Sequence, residues 1–228
     1  MNELLHFTAH TLHTAALIAM GVIYSVRLLW LFRRFKGGKE RQPPTGRPTG
    51  TARGVVYSWA VIALPWSMES QRRNLLFWMS FVVFHLGVAA AIVLSIFLIP
   101  YFPEILRHEW LVIGLQVLMA LSFAIGLIRL LRRIFSPYIR AISTPDDYFA
   151  IAVLTVWFAF AFFAAPNDTS GGVWHLIVFF CLTSFLLVYV PFSKISHYLY
   201  YPFTRYWLGK SMARRGVYPL TRGQSARS

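Results

Sequence analysis

Residues 74–99 read NLLFWMSFVVFHLGVAAAIVLSIFLI, without one Asp, Glu, Lys or Arg. A hydrocarbon layer of ~30 Å takes about 20 apolar residues in a helix, and inside it every backbone polar group must be satisfied within the segment. This run is long enough to cross. Four more qualify, near 8–32, 110–131, 147–165 and 173–197, and clusters such as Tyr101-Phe102-Pro103-Glu104 and Pro166-Asn167-Asp168 separate them. The sequence therefore reads as an all-α integral membrane protein, a bundle of five transmembrane helices forming a single membrane domain over 1–228.

Composition agrees. The chain of 228 residues is 57% hydrophobic yet carries a formal charge of +14, so its charge must sit outside long apolar runs. Residues 33–73 hold nine Lys and Arg, 129–140 hold four and 194–228 hold seven, whereas the other two connections hold only Arg107. By the positive-inside rule the basic side is cytoplasmic, which places the N-terminus outside, the C-terminus inside and the protein in the cytoplasmic (inner) membrane. The start Met1-Asn2-Glu3 reads as no cleavable leader, since it lacks a basic n-region.

The segment 33–73 is expected to be a basic cytoplasmic loop. Its first part, 33–54, is rich in Gly, Pro and Arg, and the stretch 55–67, too short to span, is expected at the interface or on a partner. Residues 198–228 read as a basic cytoplasmic tail. Such a face meets anionic lipid or an acidic partner, and no nucleic-acid module is present. Trp59, Trp66, Trp78, Trp110, Trp174 and Trp207 fall at the expected boundaries and read as an aromatic belt.

The single cysteine, Cys181, excludes an internal disulfide, a four-cysteine iron-sulfur site and covalent haem through C-x-x-C-H. Histidines are the groups left to explain, because ionisable residues inside a membrane are expensive and mark function by default. Of the seven, His6, His10, His13, His85, His175 and His197 lie in or at the ends of helices, and His108 reads as a loop residue. Two imidazoles on different helices can hold a haem b, given small residues that let the flat ring enter. Gly87 and Ala89 beside His85 offer such room, although Ile92 on the same face is bulky. His6, His10 and His13 fall on one face of a regular helix. At ~1.5 Å per residue, His175 and His197 stand about 33 Å apart along one continuous helix, so they cannot serve one haem.

Three stretches carry a family resemblance. Phe84-His85-Leu86-Gly87, the run RRIFSPYIRAISTPDDY at 132–148 and PFSKISH at 191–197 resemble the gamma subunit of respiratory nitrate reductase. They also resemble the related membrane cytochromes b of sulfite-reducing and heterodisulfide-reductase-like complexes. The likeness covers roughly residues 74–207.

The resemblance implies a haem b-containing membrane subunit of a respiratory oxidoreductase. It would pass electrons between the quinone pool and an iron-sulfur subunit at the cytoplasmic side, with one or two bis-histidine haems. His85 and His197 match the axial pair of the inner haem. The family's second helix-2 histidine falls near Ser95 here, so the outer haem would use His175 with His13 or His10. Arg27, Arg129, Arg132 and Arg133 are candidates to pair with haem propionates. Two rival readings are a haem-free membrane anchor for a redox complex and a small transporter. For the latter, Gln116 and Ser122 alone make a thin polar path.

Overall fold

The computed structural model describes residues 3–34, 48–65 and 69–219, which are helical with no strand among them. Among the described residues five helices are long and apolar enough to cross a membrane. They are α1 (Glu3–Arg34), α4 (Leu75–Tyr101), α5 (Glu109–Phe135), α7 (Pro145–Ala164) and the span Trp174–Phe192, whose α-helical part Trp174–Tyr189 is α8. The remaining helices are α2 (Thr51–Ala60), the short α3 (Glu69–Arg73) and α6 (Pro137–Ala141), and α9 (His197–Arg214). Residues 35–47 of the basic loop, Trp66, and the tail beyond 219 lie outside the described residues.

Two boundaries differ from the sequence reading. The last span does not run on to 197. It leaves α-helical geometry after Tyr189, passing through 3₁₀ turns at Val190–Phe192 and Lys194–Ser196. Pro191 explains this, because it has no N–H for the carbonyl of Leu187 and its ring crowds that carbonyl. The 33 Å spacing expected along one straight helix therefore does not apply. The region 198–228 is also more than a tail, since His197–Arg214 is the helix α9.

The chain divides into two compact units, Met1–Leu31 with Ser80–Ile195, and Phe32–Met79 with Ser196–Ser228. In the first, α7 is the hub. Trp157, Phe158, Ala161 and Ala164 are buried with Phe84 and Ala91 of α4, Met119 of α5, and Phe179 and Phe180 of α8. Lipid gives helices little hydrophobic reason to associate, so close packing and interhelical hydrogen bonds hold such a bundle. Trp157 Nε1 donates to Thr183 Oγ1 at 2.8 Å, and Gln116 Nε2 donates to the Phe162 carbonyl at 3.3 Å. Ser122 Oγ donates to the Val83 carbonyl at 3.2 Å. Gln116 and Ser122 thus tie helices together.

Two π-helical turns interrupt the long spans, Phe7–Leu12 in α1 and Leu94–Leu98 in α4. Such turns are rare and gather at functional sites. The second contains Ser95, which is fully buried and donates to the Ile92 carbonyl at 3.0 Å.

The second unit pairs α2 with α9, antiparallel. Thr49 N donates to the Ala213 carbonyl at 2.9 Å, and at the other end Trp59 Nε1 donates to the Pro202 carbonyl at 3.0 Å. Glycines allow the approach: a Cβ on Gly209 would fall 2.6 Å from Val55 Cα, and one on Gly54 would fall 2.5 Å from Ala213 Cβ.

Candidate functional site

His13 is the most unusual polar side chain of the first unit. It follows the π-turn of α1, is 3% exposed, and neither ring nitrogen has a hydrogen-bond partner. Its ring meets Phe180 of α8 edge-on, with centroids 5.5 Å apart. An unsatisfied buried polar group costs about 1–3 kcal/mol, and native structures rarely keep one without a use.

His6 and His10 part company with it. Both are exposed, and their rings lie 4.8 Å apart between centroids. The single histidine face expected for α1 is therefore divided, one ring packed inward and two turned out. The π-turn between His6 and His13 supplies the reason, because its wider turn breaks the angular count on which a regular helix face depends.

His85 sits on the exposed side of α4. Its Nδ1 lies 2.7 Å from the Phe81 carbonyl, and its ring is 4.1 Å from that of Phe81. An Nδ1–H bond to a carbonyl fixes the tautomer and leaves the lone pair on Nε2, the arrangement common among metal-binding histidines. Ala89 and Ile92 share the exposed side with it. Gly87 does not provide the expected room for a flat ring. It is buried against α5, where an added Cβ would lie 2.0 Å from Ser122 Oγ, and the absent side chain serves helix packing.

His175 is the second residue of α8 and is half-buried. It lines a small cleft with Phe163, Pro166, Asp168, Gly171 and Trp174. The connection before it is shaped by Asn167 at φ 51° and Gly172 at φ 113°, both left-handed, and by Asp168. Asp168 accepts from Ser170 N at 2.8 Å and from Ser170 Oγ at 2.9 Å. These bonds hold its carboxyl below the usual range. His197, the first residue of α9, is exposed and belongs to the second unit, whereas His85 belongs to the first.

The arginines have separate surroundings. Arg129 of α5 is half-buried, with its guanidinium 5.1 Å from the Phe84 ring centroid and Nη2 3.4 Å from Ser80 Oγ, one turn before Phe84 and His85. Arg27 lies over the Phe192 ring at 5.4 Å. Arg132 is exposed. Arg133 donates to Ser143 Oγ at 2.6 Å and stands 3.8 Å from Asp147, so it already has a carboxylate.

The structure brings two of the resemblance motifs together. Thr144 caps α7 through a reciprocal box with Asp147, whose Oδ2 also accepts from Lys194 Nζ at 2.8 Å. Asp146 accepts from the Tyr189 hydroxyl and from the Lys194 backbone N–H. The run at 132–148 and the turn at 191–195 are thus locked to each other by the paired aspartates. Thr-Pro-Asp-Asp is a legible helix start, but the partnership with Tyr189 and Lys194 has no signal in the local sequence.

No protein-family model and no solved structure matches the chain. It is similar to a protein of Nitratidesulfovibrio vulgaris (strain Hildenborough), 27% identical over 198 residues that cover 83% of this chain and 85% of that relative. The name of that relative says only that it is a protein.

Proposed function

We propose that this chain is a haem b-binding membrane subunit of a respiratory oxidoreductase, passing electrons between membrane quinone and an iron-sulfur subunit at the cytoplasmic side. The observation that carries the reading is His13: a buried imidazole with two unpartnered nitrogens is what a ligand position in an apolar bundle requires. The bond from His85 Nδ1 to the Phe81 carbonyl fits the same chemistry, since such a bond orients the ring of a metal-binding histidine.

Haem held between imidazoles would supply single-electron transfer, which splits the two-electron oxidation of a quinol. His13 and His175 are the residues assigned to an outer haem, and His85 to an inner one. In a five-span bundle the first and fifth spans run in the same direction, so His13 and His175 belong to the same half of the membrane. Arg129, which contacts Ser80 and lies over Phe84, the residue before His85, supplies positive charge on that stretch of α4 for an anionic substituent. The basic connections on the proposed cytoplasmic side suit an acidic partner and anionic lipid.

A haem-free anchor is the second reading, and Gly87 favours it, because its face is closed by Ser122. One experiment separates the two: the reduced-minus-oxidised visible spectrum of the purified chain with haem quantified per polypeptide. It would be recorded for wild type, His13→Ala and His85→Ala. Two haems, one lost with His13 and the other with His85, is the expected result. A chain without haem in every form makes it an anchor.

A further inference from the structure

The split of the α1 histidines leaves His6 and His10 as a pair of their own, and the geometry points to a surface site for a divalent late transition-metal ion held by these two imidazoles. A first-row metal binds imidazole nitrogen at about 2.0–2.1 Å, which puts the ring centroid roughly 3.2 Å from the ion. Two such rings at about 90–110° have centroids about 4.5–5.2 Å apart. The His6 and His10 centroids are 4.8 Å apart, with planes tilted by 34°. The two rings thus already stand at the separation that a shared ion requires.

Location makes the pair reachable. Helix α1 runs over 32 residues, about 48 Å, against a hydrocarbon layer of ~30 Å. With Arg33 and Arg34 anchoring its other end, roughly ten residues at the N-terminal end project into the headgroup layer and water. His6 and His10 lie in that projection and both are exposed. His13, the next along, is buried against Phe180 and takes no part.

Ligand chemistry narrows the class. Imidazole suits Cu²⁺, Ni²⁺ and Zn²⁺, and Cu²⁺ binds most tightly in the general affinity order. Among the described residues no set of three His, Cys, Asp or Glu stands ready to hold a metal, so water fills the remaining positions. A two-ligand site of this kind is exchangeable and open at the membrane surface. It is independent of the haem proposal, since neither His6 nor His10 is assigned to haem there.

The test is Cu²⁺ titration of the full-length chain in detergent, followed by electron paramagnetic resonance, with Zn²⁺ as competitor. Wild type, His6→Ala, His10→Ala, the double variant and His108→Ala would be compared. The expected result is one Cu²⁺ with two equatorial nitrogens, bound at least tenfold more weakly in each single variant and unaltered in His108→Ala. Copper affinity within twofold of wild type in either single variant, or in the double variant, would overturn the assignment. These exposed positions carry no packing load, and a haem spectrum or thermal melt reports folding separately.

Discussion

A Cβ placed on Gly87 of α4 would lie 2.0 Å from Oγ of Ser122 on α5, and 2.7 Å from its Cβ. The two helices approach because one residue has no side chain, and Ser122 uses the proximity to donate to the Val83 carbonyl. Gly87→Ala is therefore expected to destabilise the first unit by about 1–3 kcal/mol, the usual range for overpacking. Ser122→Ala in the same chain should restore part of the loss, since it removes the nearer atom but keeps Cβ. Thermal unfolding in detergent of both single variants and the double variant measures the coupling. Equal melting of wild type and Gly87→Ala would show that the helices do not meet there.

That contact marks where the sequence stops being legible. Spans show in the sequence because a charge-free run of membrane length has few alternatives. Which side of a span faces a neighbour is another matter, since α4 is apolar all round and no polar face orients it. Gly87, read as room beside His85, turns out to be room for α5. His13 misled for a different reason: counting at 100° per residue assumes an α-helix, and the π-turn at Phe7–Leu12 alters the count. The proline that ends α8 was visible at 191, but the apolar run continuing past it hid the break. In the second unit, Gly54 and Gly209 meet across a long sequence separation that no local pattern reports.

The lock between α7 and the turn at 191–195 can be divided by substitution. Asp147 both caps α7 and meets Lys194, whose side chain is 58% exposed. An ion pair so open to solvent contributes at most about 1 kcal/mol and weakens with salt. Lys194→Met should therefore lower stability slightly at low ionic strength and not at 1 M salt. Asp147→Ala should cost about 0.5–2 kcal/mol at both, through the lost cap, while Asp147→Asn, which can still accept from Thr144 but loses the charge facing both Lys194 and Arg133, should show a larger salt-dependent loss than Lys194→Met. Melting temperatures at two salt concentrations check this. A salt-independent effect of Lys194→Met would refute the division.

Acidification should open the connection before α8 only at low pH. The backbone N–H of Ser170 and then its hydroxyl favour the charged carboxylate of Asp168, so its folded pKa lies below the unfolded value. A group shifted in this direction contributes stability that is complete above the unfolded value, about 3.9, and is lost as pH falls through the folded one. The turn should hold at neutral pH and open below the ordinary carboxylate range. Hydrogen exchange at the Ser170 amide, followed down in pH, should accelerate relative to its intrinsic rate in wild type. It should lose that step in Asp168→Asn, and a step of the same size in both chains would mean that another group controls the turn.

His13→Leu makes the sharpest prediction, because two roles for the imidazole give opposite signs. A histidine retained for structure would be paired, and replacing it would leave its partner unsatisfied and lower stability. Here neither nitrogen has a partner and the ring contacts Phe180, so an apolar side chain removes an unsatisfied group from an apolar site. In chain prepared without haem, His13→Leu is expected to raise stability by about 1–3 kcal/mol, the cost of leaving such a group unpaired. In chain prepared with haem, the same substitution should lower the haem content per polypeptide, since the residue that accounts for the burial has gone. Thermal unfolding of the two preparations, with haem counted in each, reads both signs. A haem-free variant that melts below wild type would mean that the imidazole is kept for packing, and the haem proposal would lose the observation on which it stands.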